Sequence, residues 1–221
     1  VNGIMRLPRK ARPTLAIIPM GSGNDFARTL HASSNNPERS LAEVLAGDTR
    51  TIDLGHVSSD TGTESYVVQT LSFGFDAAIG LDTMAHRGPD TAQRGVSLFV
   101  TSGLKILAQG IQGYPSILTI EDEEPQRLRT IMCAVQNGPS YGGGFRICPT
   151  AVPTDGMLDI CYNVRTPTLP HLAALFGRAR LGRHVSSPVV RLERVRHLSV
   201  SFPEVEPPCQ VDGEALHGTR L

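Results

Sequence analysis

The chain of 221 residues contains no tryptophan, and aromatic residues make up only 5% of it. Surfaces that hold single-stranded nucleic acid stack bases on aromatic rings, so this composition speaks against such a platform. Charge of neither sign is in excess: 21 Lys and Arg balance 21 Asp and Glu. A general attraction for polyanions is therefore missing, and nucleic acid is not an expected partner. Cys133, Cys148, Cys161 and Cys209 are widely spaced and form no Cys-x-x-Cys pair. That pattern suggests neither a zinc site nor a disulfide framework, and reduced thiols are expected. No apolar run approaches the length that spans a bilayer, and no signal peptide is visible. A ligand carried in a membrane would have to be met at the membrane surface.

What the sequence does have is a glycine-bearing loop, Pro19-Met20-Gly21-Ser22-Gly23-Asn24-Asp25-Phe26-Ala27-Arg28. It follows an apolar run, Thr14–Ile18, that reads as a strand, and it leads into a short helical pattern over Phe26–Leu30. Glycine in such a turn permits positive φ and close approach of a bulky ligand. Backbone N–H groups converging at a helix N-terminus suit an anion such as phosphate. Ser22 adds a hydroxyl, Asn24 and Asp25 read as helix caps, and Asp25 is also able to face a magnesium ion. There is no Gly-Lys-Ser/Thr, and the glycine spacing does not fit the dinucleotide fingerprint, so the two best-known phosphate loops are excluded.

Further along, Val1–Met5 reads as the end of a helix and Glu38–Ala46 as another, with Gly47 as its C-cap. Strand and helix thus alternate at the start, the α/β habit. After Asp48–Thr51 the texture changes. Short strand patterns at Thr51–Val57, Tyr66–Phe73, Ser116–Ile120, Leu128–Val135, Leu158–Val164, Val189–Leu192, Leu198–Phe202 and Cys209–Val211 suggest an antiparallel β-sandwich or rolled sheet. Helical patterns at Ala77–Ala85, Val96–Ala108 and Leu169–Leu181 are set among them.

Three constellations in this second part carry chemistry. Asn137-Gly138-Pro139-Ser140-Tyr141-Gly142-Gly143-Gly144 ends a strand in a glycine run, either a hairpin connection or a place where a ligand comes close. Pro153-Thr154-Asp155-Gly156 reads on its own as a simple Asp-Gly turn before a strand. Asp212-Gly213-Glu214 flanks a glycine with two carboxylates, able to face one cleft or to sit in a solvated hairpin. A carboxylate there suits general-base work on a hydroxyl, and the sequence does not choose between Asp212 and Glu214. His184 reads as a packed residue rather than a catalyst. Arg178, Arg180 and Arg183 read as a solvated face, or else as a surface for anionic lipid head groups.

The loop at Met20–Arg28, the Asn137–Asp159 stretch and Asp212–Glu214 together resemble the diacylglycerol kinase family of lipid kinases, which includes sphingosine and ceramide kinases. The resemblance implies the remnant of an α/β nucleotide-binding domain over 1–49, followed by a C-terminal β-sandwich with a few helices over 50–221. It implies ATP held by Gly21, Ser22, Gly23, Asn24 and Asp25. Asp212 and Glu214 would serve as catalytic carboxylates. A structural magnesium ion would bind Asp155, with carbonyls near Val152 and Met157. The expected partners are ATP and a membrane lipid, with peripheral contact at the inner, cytoplasmic face of the membrane; a homodimer stays open. In the family a Gly-Gly-Asp-Gly-Thr segment precedes the equivalent of Val1–Met5, so the chain is expected to be a fragment that lacks kinase activity by itself. An NAD kinase-like enzyme and a non-catalytic nucleotide- or lipid-binding domain are the alternatives.

Overall fold

The computed structural model describes residues 1–21, 23–86, 96–110 and 112–221. The N-terminal part contains α1 (Asn2–Met5), a 3-10 turn at Arg9–Ala11, α2 (Asp25–Thr29) and α3 (Pro37–Ala46). α3 forms where its ends are provided for. Asn36 accepts a hydrogen bond from the Arg39 N–H (3.0 Å), Pro37 occupies the first turn, where no N–H is needed, and Gly47 closes it at φ 79°. The strand expected at Thr14–Ile18 is not formed. No described strand pairs with it, and Leu15 and Ile18 stay about half exposed, at 49% and 48%. An apolar run does not make a strand without a ladder partner for its backbone groups.

From Gly55 onward the chain is an antiparallel sandwich. β1 (Gly55–Ser58) and β2 (Glu64–Val67) form a small ribbon. β3 (Thr70–Gly74) then runs into α4 (Phe75–Ala85), and α5 (Val96–Ala108) follows. Next come β4 (Tyr114–Ile120), β5 (Gln126–Thr130), β6 (Met132–Gln136), β7 (Leu158–Asn163), α6 (Leu169–Ala179), β8 (Val190–Val195), β9 (Leu198–Ser201), β10 (Cys209–Val211) and β11 (Glu214–Ala215). Six strands make one sheet in the order β11-β10-β3-β6-β7-β8, and β5-β4-β9 make a second.

The central strands of the six-stranded sheet, β10, β3, β6 and β7, are buried on both faces and are mostly apolar, whereas the edge strands β8 and β11 are partly or fully exposed and carry charges. On β6, Cys133 and Val135 point into the core shared with the three-stranded sheet, together with Phe73, Leu118, Ile160 and Phe202. Ala134 points the other way, as does Cys161 between Ile160 and Tyr162 on β7, into a second core roofed by helices with Phe75, Ile79, Phe99 and Leu172. This is the two-residue period of strands applied to a sheet with two covered faces. Two expected strands each prove to be two. Tyr66–Phe73 breaks into β2 and β3, because the N–H groups of Val68 and Gln69 turn to Asp212. Leu128–Val135 breaks into β5 and β6, where the Asn163 side chain accepts from Ile131 and Met132 N–H at 2.8 and 3.1 Å.

The turn from β3 into α4 depends on Gly74, at φ 84° and ψ −134°. A Cβ added there would lie 2.2 Å from the Ile131 carbonyl oxygen. Gly74→Ala is therefore expected to lower stability by about 3 kcal/mol, read as the shift of the denaturant midpoint at unchanged m-value.

Candidate active site

A cleft of about 510 Å³ lies where the N-terminal loop meets the sandwich. Gly21, Gly23, Asn24 and Asp25 form one wall. Gly142 and Gly143 face them, and Asp212 and Gly213 stand with Gln69 and Thr70 on a third side. The structure thus brings together most of the residues singled out for nucleotide binding and catalysis. Ser22 lies outside the described residues. Glu214 is exposed on β11 next to the cleft-lining Gly213.

Asp25 is the tie between the two parts. One carboxylate oxygen accepts the Gly143 N–H at 2.7 Å, and the other meets the Arg28 guanidinium at 2.8 Å. Arg28 also donates to the Gly23 carbonyl at 2.7 Å, which pins the loop from behind. Burial pushes the Asp25 carboxyl above its ordinary range, and the Gly143 N–H and Arg28 oppose that shift. A second link is buried: Gln69 Nε2 donates to Thr29 Oγ1 on α2 (3.0 Å) and to the Ser140 carbonyl (2.6 Å).

The loop's glycines serve differently from expectation. Positive φ falls on Asn24 (53°), not on Gly21 or Gly23. Asparagine tolerates that left-handed conformation. A Cβ on Gly21 would lie 2.9 Å from Asn24 Oδ1, so the glycine is there for close approach. Asn24 does not cap α2 with its side chain, which points back toward the Pro19 carbonyl and Asn35. Asp25 leaves its own helix to reach Gly143 instead. The expected caps are thus spent on holding the cleft together.

Asp212 and Glu214 behave differently from each other. Asp212, at φ 49°, accepts three backbone N–H groups: Val68 at 2.7 Å, Gln69 at 2.9 Å and Thr70 at 2.8 Å. The residue has surface open to solvent, but its carboxylate sits in the recess of the cleft. Loss of water raises its pKa, the three N–H bonds pull it down, and the negative charge of Glu214 pushes it up again. Among the described residues Glu214 has no hydrogen-bond or ion-pair partner for its carboxylate.

Val152, Asp155 and Met157 lie apart from the cleft lining. Asp155 works within its own turn, accepting the Met157 N–H at 3.0 Å, and ion-pairs with Arg194. Asp53 accepts the Gly156 N–H at 2.7 Å, which fixes the same turn from outside. Nearby Asp159 is buried, with one carboxylate oxygen lacking a partner. Its pKa is pushed up to about 6, first by burial; Arg194 opposes the shift and the Asp155 charge adds to it. His184 is packed as expected: it is buried, its Nε2 lies 3.1 Å from the Ile147 carbonyl, and burial lowers its pKa.

Sequence reasoning missed Gln69 and Asp76. Both are polar residues inside apolar runs, which was the available signal. Asp76 is fully enclosed at the start of α4, accepts the Tyr141 hydroxyl, and has its pKa pushed up to about 7 by burial.

A glycine-bearing loop and short helix docked on an antiparallel sandwich enclose a glycine-lined cleft at their junction. Residues 1–57 match the diacylglycerol kinase catalytic domain, and residues 70–219 match the YegS C-terminal NAD kinase beta sandwich-like domain. The chain belongs to this diacylglycerol kinase and YegS-like lipid kinase family. It is similar to a diacylglycerol kinase of Mycobacterium tuberculosis, 31% identical over 191 residues, covering 86% of this chain and 60% of the relative. A probable lipid kinase, YegS-like, of Chromohalobacter salexigens is 29% identical, covering 97% of this chain and 65% of the relative. This chain therefore spans less than two thirds of the length of both. A crystal structure of a diacylglycerol kinase from Bacillus anthracis str. Sterne superposes with a TM-score of 0.65 at 19% identity, over 99% of this chain and 65% of that one, and shows the shared fold.

Proposed function

We propose that this chain supplies the catalytic cleft of an ATP-dependent lipid kinase, which moves the γ-phosphoryl group of ATP onto a hydroxyl of a membrane lipid such as diacylglycerol or a sphingoid base. The observation that carries this reading is the Asp25–Gly143 hydrogen bond, which closes two glycine segments around one cleft beside a carboxylate pair. The volume of that cleft suits a nucleotide-sized ligand. Gly21, Ser22 and Gly23 would lie along the phosphates, with Asn24 and Asp25 fixing the loop. Residues 1–49 and 50–221 would act as the two sides of the cleft.

Glu214 is the better proton acceptor of the pair, because its carboxylate is unengaged while that of Asp212 is held by three N–H groups. As the lipid hydroxyl oxygen bonds to the γ-phosphorus and the bond to the departing diphosphate breaks, Glu214 takes the hydroxyl proton. Asp212 orients the turn that presents it. No helix among the described residues is long and apolar enough to cross a membrane, so the lipid would be met by peripheral contact.

A structural magnesium ion at Asp155 fits the residues present. Asp155 ion-pairs with Arg194, whose charge also acts on the neighbouring Asp159, and among the described residues a buried Asp159 oxygen has no hydrogen-bond partner. An oxygen-rich, net-negative set of this kind suits a hard divalent cation. The ion's contribution would be to fold the turn, with Asp155 and the main chain at Val152 and Met157 as ligands. Magnesium is expected to raise the melting temperature of the chain without nucleotide, and Asp155→Asn to abolish that rise.

The reading is tested at Asp25. Asp25→Ala in the full-length enzyme removes two charge-assisted bonds, so kcat/KM for ATP is expected to fall about 10–100-fold, with vesicle binding unchanged. Weakened vesicle binding with unaltered ATP kinetics would contradict the assignment.

A further inference from the structure

We infer that the outer face of α6, with the exposed side of α5 beside it, is a docking surface for an anionic lipid bilayer. A helix on the surface of a folded domain ordinarily turns polar residues to water. On α6 the outward positions up to Gly177 are apolar, and only Arg178 in the last turn is charged. Leu172, Leu175 and Ala179 face the core, yet the outward positions Leu169, Pro170, Ala173, Ala174 and Gly177 carry no polar side chain. Leu181 extends that strip past the helix end and is 61% exposed. α5 lies alongside, since a Cβ on Gly103 would meet the Phe176 ring at 2.6 Å, and its Leu104 is 60% exposed.

Charge fixes the kind of partner. The whole chain is neutral, but from Ile160 to Leu192 it has five arginines and no carboxylate. Arg165 precedes the apolar strip, and Arg178 and Arg183 stand exposed at its far end. Arg178 is held in place by the Arg183 carbonyl and Ser186. An apolar face about 16 Å long, with cations at both ends and no acid between, matches the acyl boundary and phosphate layer of an anionic membrane. No carboxylate stands on the outward positions of the two helices; the polar side chains there are Arg178 on α6 and Ser97, Thr101 and Lys105 on α5, so what charge the face shows is cationic.

The same helix is mechanically joined to the cleft. Arg180 donates to the Gly144 carbonyl at 2.6 Å, and the rings of Phe176 and Phe99 stack with centroids 6.4 Å apart, Phe99 itself lining the cleft. A bilayer on this face would lie next to the glycine segment that Asp25 holds. The inference deepens the lipid kinase reading but is tested without ATP.

The test is co-sedimentation of the 221-residue chain with extruded vesicles of phosphatidylglycerol and phosphatidylcholine, against phosphatidylcholine alone. Binding is expected only to the anionic vesicles and is expected to weaken with salt. The double variants Leu104→Asn with Leu181→Asn, and Arg165→Gln with Arg183→Gln, should each bind about tenfold more weakly. All four side chains are exposed, so melting curves should not move; if they do, alanine at the same positions replaces them. Unchanged binding by both variants overturns the inference. So does a self-associating chain that the leucine variant makes monomeric, because the occupant is then a second copy. Lipid phosphorylation in detergent micelles without vesicle binding overturns the docking face alone. Vesicle binding by the chain, with no phosphoryl transfer to any lipid by the full-length enzyme, leaves the face standing and sinks the kinase reading.

Discussion

Glu214→Gln is expected to cut the turnover number of the full-length enzyme by about 10²–10⁴-fold, the range that a general base supplies. Its melting temperature should stay within about 2 °C, because an exposed side chain without partners leaves nothing behind when its charge is removed. Asp212→Asn should behave differently, although the two residues are separated only by a glycine. Its carboxylate takes N–H groups on both oxygens. An amide offers one acceptor oxygen and turns its NH₂ toward the remaining N–H, a donor facing a donor. The expected loss is about 2 kcal/mol of stability, or roughly 4–8 °C in melting temperature for a domain of this size. Turnover falls too, since the turn carrying Glu214 is loosened. The measurement is kcat per folded molecule beside a thermal melt for each variant. A stable but inactive Asp212→Asn, together with an active Glu214→Gln, would reverse the two roles.

The second large effect lies in the core. Asp76 is enclosed under the helices, and burial raises its pKa from 3.8 to about 7 although hydrogen bonds from Tyr141 and Ser72 oppose the shift. A carboxyl whose folded pKa is raised stabilises fully below its unfolded pKa and loses that contribution as pH rises through the folded value. The window therefore runs from about pH 4 to just above pH 7, and the contribution lost across it is about 4 kcal/mol. Asp159, with a pKa of about 6, adds a smaller change of the same sign. Asp76→Asn keeps an oxygen for the Tyr141 hydroxyl and cannot ionise. Subtracting its denaturation curves from those of the wild type should isolate the Asp76 contribution. The wild type should lose stability relative to the variant on going from pH 4 to pH 8. A constant difference across that range would show that Asp76 does not ionise within it.

The sandwich was legible because its evidence is local. Val96–Ala108 carries helical periodicity and forms α5 over those same residues, and Leu158–Val164 carries strand patterning and forms β7 over Leu158–Asn163. The breaks within Tyr66–Phe73 and Leu128–Val135 were not legible. Each is made by a side chain distant in sequence, Asp212 in one case and Asn163 in the other. Thr14–Ile18 misled for a related reason, since an apolar run is local but a ladder needs a partner. The cleft shows the same division. The loop residues and the Asp-Gly-Glu segment stood out as motifs. The bond from Asp25 to Gly143, spanning 118 residues, and the Gln69 bridge to Thr29 belong to tertiary structure alone. Asp76 was visible only as a lone acid in an apolar run, a pattern as common in buried structural residues as in functional ones.

The most direct measurement is transfer of label from γ-³²P-ATP by the full-length enzyme, with magnesium, offered diacylglycerol, a sphingoid base and ceramide in mixed micelles and, separately, NAD in solution. The account predicts label in at least one lipid, none in NAD, and loss of the lipid signal in Glu214→Gln. Label in NAD with every lipid unlabelled would contradict it.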